Sequence, residues 1–311
     1  MTSKLFEKKN YIKTDYFLTL GCVALCFLML VLSKPLKDGV YSGFLLAFQN
    51  VLPTLFPFFI LSDIWSSFFR LSKKNRLSSL FSSFFKINES AITAFLCGLI
   101  CGFPVGVKMG CDLYRKNLIT KNELERFCGF ANNPSAAFVI SGIGLGLLNN
   151  MSYGIILYFS TVFSALLTGF IFRKNGRKSL NQNDNSRQNY NFIDSVKSAA
   201  FSSINVASYI ILSSAILAII SPLVQNYCIL TLISPFIEVS NAVSIISTYS
   251  QIGIYHKLIV ISFAVAFSGF SVHMQAFSFM PKEISRIKYL YMKLCQGLLS
   301  SAITAIILIA I

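Results

Sequence analysis

Residues 95–113 read FLCGLICGFPVGVKMGCDL and residues 261–279 read ISFAVAFSGFSVHMQAFSF. Each stretch is long and apolar enough to enter a bilayer. Each is also interrupted near its centre, at Gly102-Phe103-Pro104 and at Ser268-Gly269-Phe270-Ser271, and the break is followed by a basic or polar side chain, Lys108 or His273. A plain anchor needs neither feature. Matching interruptions in two halves of a membrane protein point to a binding site made from unwound helix.

The rest of the chain supplies the setting for these two segments. Of 311 residues 54% are hydrophobic and the mean hydropathy is +0.64, with apolar runs of about bilayer length recurring from end to end. The runs are continuous rather than alternating, which predicts an all-α polytopic membrane protein and not a barrel. Charged residues are only 13% of the chain and fall in short stretches, leaving no segment for a separate soluble domain. The net charge of +15 reads as cytoplasmic loops facing anionic lipid, so the expected partner is the bilayer and not nucleic acid. A homo-oligomer stays open.

Charge and hydropathy order the segments. A basic leader with Lys4, Lys8, Lys9 and Lys13 precedes a first anchor over 16–32, read as uncleaved because no persuasive small-residue cleavage site follows it. A short external link over 34–41 leads to a second crossing over 43–65, where Pro53 and Pro57 predict a kink. Arg70, Lys73, Lys74, Arg76 and Lys86 follow. Because Arg115, Lys116, Lys121 and Arg126 lie beyond the segment containing Gly102, a re-entrant hairpin turning near Gly102–Gly106 keeps both ends cytoplasmic. Thr120 and Glu123 then predict a capping box on a short interfacial helix. Further crossings are expected at 134–148, 153–172, 198–224, 229–246 and 290–311, with a polar cytoplasmic linker, RKNGRKSLNQNDNSRQNYN, over 173–191. The tally is about seven to nine membrane segments, including two re-entrant or broken helical hairpins, either of which could span instead, in two repeated halves. Aligning CGFPVGVK with SGFSVHMQ makes the halves parallel on this charge-based topology. Lys282, Arg286, Lys288 and Lys293 mark a cytoplasmic face.

Ionisable groups at membrane depth cost about 2.5–3.5 kcal/mol each on insertion scales, so those that occur face a cavity or a partner. Lys108, with Asp112 one turn away and Asp63 nearer a helix end, is one candidate. His273 and Gln275, beyond Ser268, Gly269 and Ser271, form a second. Glu238, flanked by Pro235, Ser240 and Asn241, is the best carboxylate for binding or proton coupling. Asn132, Asn133 and Ser135 beside Pro134 suit a helix cap or a ligand at a helix N-terminus, and Gly102, Phe103, Pro104 and Gly106 supply the first break. The GIGLG run at 142–146 reads as close helix packing. Eight cysteines lack metal or redox spacing, and only His256 and His273 are present. No hydrolase, zinc or nucleotide motif appears, so no catalytic residue, metal or cofactor is expected and the chain is not read as an enzyme.

LPTLFPFFILSD at 52–63, CGFPVGVKMGCDLYRKNLITKNELERFCGFANNPSAAFVISGIGLG at 101–146, ISPFIEVSNA at 233–242 and SGFSVHMQ at 268–275 together resemble the YlbJ (SpoVV) sporulation integral membrane proteins, which carry a nucleoside-recognition Gate domain. The resemblance covers most of residues 50–279 and is strongest over 98–146. It implies kinship with concentrative nucleoside transporters, whose hairpins and broken helices build a midplane site. It also implies a role in moving dipicolinic acid, a small anionic solute, across the outer forespore membrane, with a nucleoside carrier or a non-transporting sporulation scaffold as alternatives. The domains expected are a leader and first anchor (1–42), a first Gate-like repeat (43–172), a cytoplasmic linker (173–195) and a second Gate-like repeat (196–311). The chain reads as shorter than usual members of that family, ending within its last hydrophobic run.

Overall fold

The computed structural model describes residues 19–24, 26–67, 76–174, 191–224 and 226–311. The basic leader, the cluster Arg70, Lys73 and Lys74, and most of the polar linker lie outside the described residues. All regular structure among the described residues is helical.

Four helices are long and apolar enough to cross a membrane unaided: Met151–Ile171, Phe192–Leu223, Ile254–Phe279 and Arg286–Ala310. A bent pair, Thr19–Val31 (α1) and Ser33–Gln49, turning through 88°, meets the same test only when its two helices are taken together as one span. Shorter apolar helices fill the space between them. The long helices are amphipathic in reverse, with polar residues inward and apolar residues outward. On α8 (Met151–Ile171), Ser160, Thr161, Ser164 and Thr168 are buried while Ile155, Phe159 and Phe163 are exposed. On α14 (Arg286–Ala310), Tyr289, Lys293, Gln296, Ser300 and Thr304 face in, and Leu294, Leu298 and Ile306 face out. That pattern is stable only where the surroundings are hydrocarbon.

The external link expected over 34–41 is helical instead. α2 (Ser33–Leu45) runs through a π-helical turn, Leu46–Val51, into α3 (Leu52–Ser67), so the boundary drawn at 42/43 falls inside continuous helix. Pro53 and Pro57 do not break it. Pro53 follows the π-helical turn, which alters the ladder where its missing N–H would have bonded. α4 (Arg76–Phe85) then leads to α5 (Ala91–Cys101) and α6 (Val105–Arg115). A Cβ built on Gly98 would lie 2.9 Å from the Gly106 Cα. Residues eight apart along one continuous helix are about 12 Å apart, so the chain folds back at Gly102–Pro104 into the expected hairpin.

The capping box is present: Thr120 Oγ1 accepts from the Glu123 N–H, and Glu123 Oε2 accepts from the Thr120 N–H at 2.8 Å. The helix it starts, α7 (Lys121–Ala131), is more than an interfacial piece. Its second half is wholly buried, and after a break at residues 132–135 the chain continues as a π-helix, Ala137–Leu147. The expected crossing at 134–148 is thus the far part of a broken segment.

The second half differs most from the sequence-based expectation. α9 (Phe192–Ile220) is followed by α10 (Tyr227–Ile237) and α11 (Val239–Thr248). The Tyr227 and Tyr249 rings lie 5.1 Å apart and the Tyr227 hydroxyl is 3.4 Å from Thr248 Oγ1, so the start of α10 meets the end of α11. Residues 229–246 therefore form a second hairpin, folded at Glu238, and not a crossing. By contrast α12 (Ile254–Phe267) and α13 (Gly269–Phe279) form one 26-residue span interrupted at Ser268. The break there is short, Ser268 at φ +80° and Gly269 at φ +71°, and the helices on either side run on as one span instead of turning back. Of the two readings the sequence leaves for this segment, re-entrant or spanning, the geometry is that of a span.

Element order then repeats as hairpin, broken segment, long helix: α5–α6, α7 with its π-helix, α8; then α10–α11, α12–α13, α14. This order pairs Gly102 with Glu238 and residues 132–135 with Ser268, replacing the GFPVG-to-SGFS alignment. Polar contacts tie one face together: Asn88 N–H to Glu123 at 3.0 Å, Arg126 to Lys174 O at 3.4 Å, Lys288 to Glu125 at 2.7 Å and Arg115 to Phe279 O at 3.0 Å. The first hairpin enters and leaves there. The second enters and leaves at the opposite face, where Lys257 Nζ holds Ser247 O at 2.7 Å. The two sets are inverted, not parallel.

Candidate functional site

The four breaks meet in pairs. Gly102 has φ +84° and ψ −179°, a conformation essentially reserved for glycine, and a Cβ there would lie 2.9 Å from the Ser135 amide nitrogen. Gly269 has φ +71°, and a Cβ there would lie 3.0 Å from Pro235 O and 3.3 Å from the Glu238 nitrogen. Each hairpin tip thus rests on the unwound stretch of its neighbouring broken segment. Ser268, at φ +80°, is a left-handed serine held at that junction, a strained geometry.

The side chains around the breaks are buried and polar. Asn132 Nδ2 donates to the Tyr289 hydroxyl at 2.7 Å, and the Tyr289 oxygen lies 3.2 Å from His273 Nδ1. The Tyr289 oxygen accepts from Asn132, and which partner donates in its contact with His273 Nδ1 follows the imidazole tautomer. Lys293 Nζ donates to Asn132 O at 2.8 Å and to Gln296 Oε1 at 2.8 Å, and Gln296 Nε2 donates to Asn133 Oδ1 at 2.7 Å. Asn133 Nδ2 also donates to Phe130 O, securing the end of α7. Ser135 Oγ accepts from the Phe138 N–H, and Phe103 packs edge-on to Phe138 with ring centres 6.2 Å apart. On the other side, Glu238 Oε2 accepts the Asn241 N–H at 2.6 Å as the cap of α11, while Asn241 Nδ2 donates to Ser214. Gln275 Nε2 donates to Ser271 Oγ. Asn132 Oδ1, His273 Nε2, Gln275 Oε1 and Ser234 Oγ are buried without a partner.

Most residues singled out from the sequence are therefore gathered around the two break pairs. Lys108 is not. It lies along α6, buried, in an ion pair with Asp63 of α3, and Asp112 is in turn bound by Arg115 at 2.8 Å. Lys293, read from the sequence as a mark of the cytoplasmic face, is instead fully buried within the polar network. Tyr289, Gln296 and Thr161 were missed with it. One signal could have found them: Tyr289, Lys293, Gln296, Ser300 and Thr304 recur every three to four residues, a polar stripe down one side of an otherwise apolar helix.

Long reverse-amphipathic helices, inverted hairpins and an enclosed polar centre define a multi-pass integral membrane protein. Sequence comparison agrees: the chain is a distant homologue of the sporulation integral membrane protein YlbJ of Bacillus subtilis (strain 168), 29% identical over 138 residues, a match covering 44% of this chain and 34% of that protein. No protein-family model matches the chain, and no solved structure matches it.

Proposed function

We propose that this protein carries a small anionic metabolite across a bacterial membrane, with dipicolinate crossing the outer forespore membrane during sporulation as the specific reading. The observation that carries it is the meeting of two hairpins, entering from opposite faces, with two interrupted segments among buried polar groups. Non-helical backbone at membrane depth is tolerated only where it is buried in protein or lines a cavity, and paired breaks in two halves of a membrane protein point to a binding site. The N-termini of α6, the π-helix, α11 and α13 all begin at these breaks, and helix N-termini favour negative charge. The relative's sporulation name supports the setting.

Nine described Lys and Arg side chains, Arg115, Lys116, Lys121, Arg126, Arg173, Lys174, Lys282, Arg286 and Lys288, belong to the face where the first hairpin enters, so that face is cytoplasmic on this reading. A neutral nucleoside is the second reading, favoured by the unpartnered amide oxygens of Asn132 and Gln275, which suit a solute bearing N–H or O–H donors. Uptake of radiolabelled dipicolinate and uridine into vesicles containing the purified protein separates the two. The expected result is saturable dipicolinate flux that His273→Ala reduces. Flux of uridine alone would establish the second reading, and flux of neither would end the transport proposal.

A further inference from the structure

Resting on the transport reading, we propose that Lys293 of α14, together with His273, forms the subsite that receives a carboxylate of the solute, at the break between α7 and the π-helix. The argument begins with donors. An ammonium has three N–H donors. Two of those on Lys293 are taken by Asn132 O and Gln296 Oε1, and the third has no hydrogen-bond partner among the described residues. Asn132 links this ammonium to His273 by way of Tyr289, and His273 Nε2 is buried and also unpartnered.

Charge leads to the same place. The ion pairs among the described residues are Lys108 with Asp63 and Asp112, Arg115 with Asp112, and Lys288 with Glu125, and none includes Lys293. What Lys293 meets is a neutral amide and the carbonyl end of α7, and a helix C-terminus offers only about half an elementary charge. Protonated, Lys293 carries a charge at 0% exposure that these neutral partners compensate only in part. A carboxylate supplies the remainder by accepting the third Lys293 N–H in a charge-assisted contact, and His273 Nε2 is the other buried, unpartnered nitrogen of the same network. A role as a helix cap alone would be filled by a neutral donor and would leave His273 unexplained. Lys108, the lysine that the sequence brings forward, already has its carboxylate.

The test uses full-length protein in detergent and measures binding of dipicolinate, succinate and benzoate, each against its amide. Wild type is expected to prefer the acids. Lys293→Met should weaken acid binding by about tenfold to a hundredfold, the scale of one lost charge-assisted hydrogen bond, and leave amide binding unchanged. Gln296→Glu is the second variant, which serves even if Lys293→Met does not fold: nearly the same shape, it gives Lys293 an internal carboxylate and should produce the same selective loss. Equal weakening of acid and amide, or no weakening in Gln296→Glu, overturns the assignment, as does a wild type that distinguishes no acid from its amide. Vesicle flux separates the two levels: dipicolinate transport that persists unchanged in both variants removes only the Lys293 subsite, while absence of transport in wild type removes the carrier reading.

Discussion

Two buried lysines, Lys108 and Lys293, differ in what each one faces. Lys108 is buried against Asp63, with Asp112 3.9 Å away, so its charge is satisfied within the protein. Removing one member of such a pair strands the other, at a cost of about 3 kcal/mol, whereas neutralising both costs much less. Lys108→Met should therefore lower the thermal midpoint of the purified protein, and Lys108→Met with Asp63→Asn should recover most of the loss, both variants keeping dipicolinate affinity. A loss of affinity with no change in midpoint would instead place Lys108 at the solute. Reading the sequence brought Lys108 forward because it lies inside a recognisable motif. Lys293 was hidden among Arg286 and Lys288, where a basic residue near a helix start looks like a membrane-edge anchor. Its burial follows from the helical phase it shares with Gln296 and Ser300, a property of spacing and not of local composition.

At the scale of elements, the sequence marks two of the four breaks, at Gly102 and Gly269, but not which way the chain leaves them. The stretches around Gly102 and Gly269 have nearly the same local signature, yet the first reverses direction and the second continues across. The first turns back over three non-helical residues, and its two arms close at Gly98 and Gly106. The second departs from right-handed helix only at Ser268 and Gly269 and continues within the same span. The other reversal, at Glu238, has no glycine at all: an extended residue, φ −148° and ψ 123°, follows Pro235 and caps the next helix with its own carboxylate. What both glycines share is contact with a second break. Gly102→Ala forces a side chain into a glycine-only conformation and towards the Ser135 amide, and Gly269→Ala pushes on Pro235 O and the Glu238 nitrogen. Each should cost roughly 1–3 kcal/mol in thermal stability. Each should also slow dipicolinate flux more than an alanine at the exposed Gly142 does, as vesicle uptake would show. Flux equal to that of the Gly142 variant would mean that the break pairs play no part in the pathway.

For the whole molecule, orientation decides whether the two hairpins offer one site to two compartments. Hairpins inserted from the same face would leave the other side sealed by complete helices. Inserted from opposite faces, their tips approach the centre from both sides, and small movements of either tip against its broken neighbour can expose the interior to one side at a time. The contacts joining residues 88, 115, 126, 174, 279 and 288 put the ends of the first hairpin on one face, while Asn149, Gln251 and Lys257 belong to the other. Hydropathy could not reveal this, because it counts apolar residues and cannot tell a hairpin over 229–246 from a crossing of equal length. Charge gives the expected sign: the first face is rich in Lys and Arg, whereas the second carries few. In a cysteine-free background, single cysteines at Lys121, Lys174 and Lys282 should therefore react with a membrane-impermeant thiol reagent only from the cytoplasmic side. Cysteines at Asn149 and Gln251 should react only from outside. The decisive comparison is Gln251 with Lys121, since one follows the second hairpin and the other follows the first. If both were labelled from the same side, the hairpins would enter together and the alternating site argued from their inversion could not exist.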